Sequence, residues 1–217
     1  MKPKIAMAGR VWTTHLLLVL VSFLFISVTL NANWWIRYPI NLLLLVGGGM
    51  LVFGEGAYRG ERACTLAASL ENYRAEGRTP SAEDEKQAWK WVNGLQAALI
   101  AWIPFAVVAL FNIVAQSGAF VAVQGQVGVA GITNVVVRVL FMPYNVVYDL
   151  VSQEVLPYVL LLVSLIMPAV LMAGYLQGPR LRKKTRKQIE LGKKRKLRKM
   201  KKGERQPKPP KPPKAEV

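Results

Sequence analysis

Long apolar runs alternate with short charged connectors along this chain, a pattern that predicts a polytopic membrane protein rather than a soluble domain. Four runs are long enough to cross a bilayer as helices, at about residues 11–30, 36–53, 92–115 and 155–176, since a span needs about 20 apolar residues. The first follows Lys2, Lys4 and Arg10, as a secretory signal would, and Asn31, Ala32 and Asn33 make a poor cleavage site after it. Its length and the three later spans mark it as an uncleaved first span. Trp34, Trp35 and Tyr38 read as an interfacial aromatic belt at the mouth of the second. Pro39 falls in that span's first turn, Pro104 is expected to kink the third span, and Pro157 and Pro168 lie at the entry of and within the fourth. Gly47, Gly48 and Gly49 permit close helix approach or a bend, whereas Gly56 and Gly60 are either a small-xxx-small contact or a helix break.

Two connectors have patterns of their own. In residues 55–90, Ala63, Leu66, Ala67, Leu70 and Tyr73 recur at helical spacing on one face. Gly77 is a natural stop. Thr79 with Pro80, Ser81 and the acids Glu83, Asp84 and Glu85 then restarts a helix, with acids at its positive dipole end. A helical hairpin is expected whose second arm runs on through Trp89 and Trp91 into the third span. Its apolar face either packs on itself or docks a protein partner. In the segment 117–154, residues 127–147 are apolar enough for a further span but contain Asn134, Arg138, Pro143 and Asn145. At 100° per residue Asn134, Arg138, Asn145, Asp149 and Ser152 share a face about 60° wide, which predicts an external helix lying in the interface and broken at Pro143.

Charge orients this scheme. Of 29 Lys and Arg, eighteen fall in the last forty residues against three Glu, a net +15, while residues 1–177 carry only +2 of the total +17. A block this cationic is costly to move across a bilayer and is expected to stay in the cytoplasm. With four spans, twenty-seven basic residues lie inside and only Arg37 and Arg138 outside. Both termini are therefore expected to be cytoplasmic, with a bacterial plasma membrane as the default location. The sequence pI near 10.3 points to anionic membrane or nucleic acid as partner.

The residues available for chemistry are few. One His and one Cys provide no zinc or haem ligand set, and no phosphate-cradling Gly-rich loop occurs. His15 is expected at the membrane interface, and Arg138 with Asp149 is expected to form a solvated outer pair. The spans are expected to hold no buried acid or base, which disfavours coupled transport. No cofactor, metal or small-molecule substrate is expected. The candidate site is the tail itself: Arg180, Arg182, Lys183, Lys184, Arg186, Lys187, Lys193, Lys194, Arg195, Lys196, Arg198, Lys199, Lys201 and Lys202. Leu181, Ile189, Leu191, Leu197 and Met200 interleave with these cations, so residues 180–202 can become a cationic helix with a thin apolar edge once neutralised. From Gln206 the Pro-Lys composition predicts disordered polyproline II. The expectation is thus an all-α integral membrane protein with four transmembrane helices, a cytoplasmic helical hairpin, an external interfacial helix and a disordered basic C-terminal tail. Its domains are a membrane part, 1–177, and a polybasic, Pro-rich tail, 178–217. The expected function is non-enzymatic: a scaffold or accessory subunit whose tail binds anionic lipid headgroups. A membrane tether for ribosomes or other nucleic acid through the same tail, and a small transporter or channel subunit, are the alternatives.

Overall fold

A computed structural model of the chain describes residues 2–29, 34–117 and 128–203 as helices and their connections. It comprises two units, Met1–Pro179 and Arg180–Val217. In chain order the helices are α1 (Lys2–Thr29), α2 (Trp34–Ala75), α3 (Ala82–Gln87), α4 (Trp91–Gln116), α5 (Val129–Leu140), α6 (Asn145–Leu150), α7 (Leu156–Val163), α8 (Ile166–Leu176) and α9 (Gly178–Gly203), with one 3₁₀ turn, Met142–Tyr144, between α5 and α6. Four stretches are long and apolar enough to cross a membrane: Pro3–Phe25, Trp35–Ala75, Trp91–Gln116 and Leu156–Leu176. The described chain is all-helical and fits an integral membrane protein. Many large side chains on these helices are exposed, among them Leu16, Leu20, Leu43, Met50 and Leu162, as expected where lipid tails replace water.

The first two helices are longer than their apolar runs. α1 begins at Lys2, and α2 continues for 42 residues, about 63 Å at 1.5 Å per residue, roughly twice the hydrocarbon thickness. Gly56 and Gly60 do not break it. A Cβ at Gly56 would strike the Leu171 carbonyl oxygen, and one at Gly60 the Tyr175 carbonyl oxygen. From the other side, a Cβ at Gly174 would strike the Phe53 carbonyl, and one at Gly178 the backbone of Gly60. Two small-xxx-small pairs thus face each other, and their residue numbers rise together, so α2 and α8 run parallel in backbone contact. Gly48 instead admits the Leu18 side chain of α1, while Gly47 and Gly49 face open space.

α4 is the central helix, burying Ala97, Ala98, Ala101, Ala106 and Ala109 together with Phe105. Trp12 Nε1 donates to the Ala101 carbonyl at 2.9 Å, and Trp102 Nε1 donates to Ser164 Oγ at 2.7 Å. α4 stays continuous through Pro104. The last span does not stay continuous, dividing at Ser164 and Leu165 between α7 and α8. Pro168 lies four residues after Ser164, where its ring displaces the carbonyl of a preceding turn, and Leu165 N bonds Leu162 O in a tighter turn.

The connector after α2 follows the sequence signals in part. Gly77 adopts φ +75°, with its N–H on Arg74 O and the Arg78 N–H on Tyr73 O, a Schellman stop. The helix cap is Ser81 rather than Thr79, its Oγ accepting the Asp84 N–H at 3.2 Å. The second arm is not continuous as expected. α3 ends at Gln87, and the chain is pinned before α4 by Trp89 N on Ala63 O at 3.1 Å and by Asn93 Nδ2 on the Lys86 and Ala88 carbonyls. Leu70 is buried on this face, whereas Tyr73 is exposed.

The segment expected to lie in the interface is helical and interrupted around Pro143, but its break is packed inside the bundle. Phe141, Pro143 and Tyr144 are buried, as are Val137 and Thr133 one and two turns earlier. Ile132, Val135, Val136 and Val139 point outward. The basic stretch becomes helix α9 over Gly178–Gly203. The Pro-Lys segment, for which disorder and polyproline II are expected, lies outside the described residues.

Candidate functional site

All fourteen cations singled out from the sequence lie on α9. Arg182 is half-buried, and the other cations between 180 and 197 are exposed. At about 100° per residue they occupy every side of the helix, and fourteen charges over 26 residues amount to about one per 3 Å of axis. Pairs four apart, such as Arg182 with Arg186 and Lys194 with Arg198, oppose the helix by a few tenths of a kcal/mol each. Glu190 is the single acid on α9, and it pairs with Arg186 at 3.2 Å. The expected apolar edge is weak. Ile189 and Leu197 lie about 80° apart, and Leu191 is more than about 100° from either, all three exposed. Chemically the helix offers dense positive charge on all sides and little surface to insert among acyl chains.

Inside the first unit, the bundle brings together residues that periodicity did not connect. His15 is 2% exposed, buried inside the bundle, and sits mid-way along α1. Its Nε2 lies 2.9 Å from the Leu140 carbonyl. Tyr144 N bonds Phe141 O, so the Leu140 carbonyl loses the partner that a continuing helix would supply. A carbonyl only accepts, so His15 Nε2 carries the proton. The ring meets Phe105 edge-on at 4.5 Å between centroids and stacks on Tyr144 at 5.9 Å. Asp149 pairs not with Arg138 but with Arg37 at 3.1 Å, and Tyr38 Oη donates to the same oxygen at 3.2 Å. Arg138 donates to Asn134 at 3.3 Å and lies over the Tyr148 ring.

A second basic cluster was not apparent as a unit in the sequence. Lys4 of α1, Arg59 and Arg62 of α2, and Lys86 of α3 line one cavity of about 330 Å³, floored by Met7 and Tyr175. The outermost two, Lys4 and Lys86, are 82 positions apart, and the packing of α1 and α3 against α2 assembles the set. Among the described residues no three His, Cys, Asp or Glu side chains converge as a metal ligand set. Compared with protein-family models, with curated proteins and with solved structures, the chain matches none.

Proposed function

We propose that this protein is a non-enzymatic membrane scaffold or accessory subunit that presents a polycationic helix to a polyanionic surface, in the first place the anionic leaflet next to its last span. The observation that carries the reading is α9. Fourteen cations share one helix with a single acid, and their mutual repulsion is relieved only by external negative charge. α9 starts one residue after α8 ends, so chain connectivity alone keeps its first turns near the membrane, within reach of a leaflet potential that extends about 8–10 Å. Each Lys or Arg near an anionic surface contributes about 1 kcal/mol. Since the spans already anchor the chain, this charge recruits lipid rather than attaching the protein.

In this reading the topology is four spans with α9, the N-terminus and the α2–α3 connector in the cytoplasm, and with Arg37 and Arg138 on the far side. The parallel course of α2 and α8 supports it, because spans two and four must run in the same direction. The scattered directions of Ile189, Leu191 and Leu197 favour a second reading, in which α9 holds RNA, because a phosphate backbone needs charge but no apolar face. Both readings predict loss of binding as salt rises, so the ligand must separate them. Circular dichroism and co-sedimentation of a 178–217 peptide provide the test. With anionic vesicles the peptide is expected to bind and to become helical up to about residue 202. A peptide that ignores such vesicles but sediments with ribosomes at about 0.15 M salt overturns the lipid reading in favour of RNA.

A further inference from the structure

The cavity between α1, α2, α3 and α4 has the composition of an anion site. Its four cations come from three helices, and among the described residues no acidic side chain lines it. Their contacts leave most of the charge uncompensated. Lys4 Nζ donates to the neutral amide of Gln96, Arg62 lies over the Tyr58 ring and donates to its hydroxyl at 3.4 Å, and Lys86 has no ion-pair partner among the described residues. Glu55 offsets one of them, through Arg59 Nε at 2.8 Å. Gathering like charges around a concave surface is unfavourable unless an anion enters it. The α4 N-terminus adds to the positive potential, since Asn93 of its first turn lines the cavity and Lys90 before it makes no side-chain cap.

Its depth points to the ligand. Lys4 lies in the first turn of α1, Asn93 in the first turn of α4, and Tyr175 in the last turn of α8. Three membrane-spanning helices therefore end at the cavity, which places it at headgroup level with the apolar core beneath Met7 and Tyr175. A volume of about 330 Å³ accommodates a small phosphate ester and not a nucleic-acid strand. We propose that this cavity binds a phosphate group, carried by an anionic phospholipid of the adjoining leaflet. Basic pockets between spans at the cytoplasmic face recognise phospholipid headgroups by this chemistry. The site is separate from α9 and does not rest on the function proposed for it.

The test uses the full-length chain in mild detergent, with bound lipid read by native mass spectrometry during titration with phosphatidylglycerol or phosphatidylcholine. One variant, Lys4→Gln/Arg62→Gln/Lys86→Gln, removes cavity charge; another, Lys193→Gln/Lys194→Gln/Arg195→Gln/Lys196→Gln, removes tail charge. The expected result is a tight phosphatidylglycerol site that the cavity variant weakens by about tenfold to a hundredfold, and that the tail variant retains. Arg62→Lys, which keeps the charge and guards against misfolding of the triple variant, is expected to retain the site. Unchanged phosphatidylglycerol affinity in the cavity variant overturns the proposal, as does equal affinity for phosphatidylcholine when inorganic phosphate also fails to bind. Inorganic phosphate that binds in a cavity-dependent way, with no preference for phosphatidylglycerol, keeps the phosphate chemistry and replaces the lipid with a soluble source.

Discussion

The ring of His15 is held by a carbonyl that is free only because the helix tightens after Leu140 and redirects the Tyr144 N–H to Phe141. Two contributions can be separated at this residue. His15→Phe keeps ring packing against Phe105 and Tyr144 but leaves the Leu140 carbonyl unpaired, and is expected to destabilise by about 1 kcal/mol. His15→Ala removes the packing as well and is expected to cost about 2–4 kcal/mol. Unfolding free energies in mixed micelles read both; equal losses in the two variants would mean that the hydrogen bond, not the packing of the ring, carries the site. The sequence offered little warning of this role. His15 stands in an apolar run with Val11, Trp12, Leu18 and Val19 three and four positions away, and its partner lies 125 residues away. Asp149 was misplaced for a related reason. A common face on one helix put it with Arg138, but the break around Pro143 cancels that register, and Arg37 at the start of α2 supplies the charge.

At the scale of elements, four spans, the Gly77 stop and the restart before the acidic turn were all legible, because each depends on a local rule. What extends past local rules was not. Gly56 and Gly60 read equally as a small-xxx-small contact or a helix break until α8 is laid beside them, and the pair Gly174 and Gly178 that faces them becomes meaningful only in that contact. The two glycine groups on α2 therefore respond oppositely to the same substitution. Gly49→Ala meets open space and gains helix propensity, so it is expected to be neutral or stabilising by up to about 1 kcal/mol. Gly56→Ala gains the same propensity but drives a methyl group into the Leu171 carbonyl, and overpacking of about 1–3 kcal/mol outweighs it. Thermal unfolding in detergent orders the pair. If Gly56→Ala is as stable as Gly49→Ala, α2 and α8 are not in backbone contact.

The whole molecule combines a bundle close to neutral with a helix in which fourteen of 26 residues are cations, and in the proposed topology the sign of that asymmetry sets the orientation. Moving one Lys or Arg to the bilayer centre costs about 2.5–3.5 kcal/mol on insertion scales, so export of α9 with fourteen of them is prohibitive against any preference of the spans. The parallel pair α2 and α8 extends the constraint to the rest of the bundle. If the end of α8 is cytoplasmic, so is the far end of α2, and with it the Ser81 cap and the basic cavity. The Ser117 end of α4 is then external. Single cysteines test this arrangement after Cys64, which is buried, is replaced by Ala. In intact cells, Ser81→Cys and Gly203→Cys are expected to resist a membrane-impermeant thiol reagent and to react after permeabilisation, while Ser117→Cys reacts at once. External labelling at Gly203 would reverse the orientation. Labelling at Ser81 with protection at Gly203 would instead place α2 and α8 ends on opposite sides, which their parallel contact forbids.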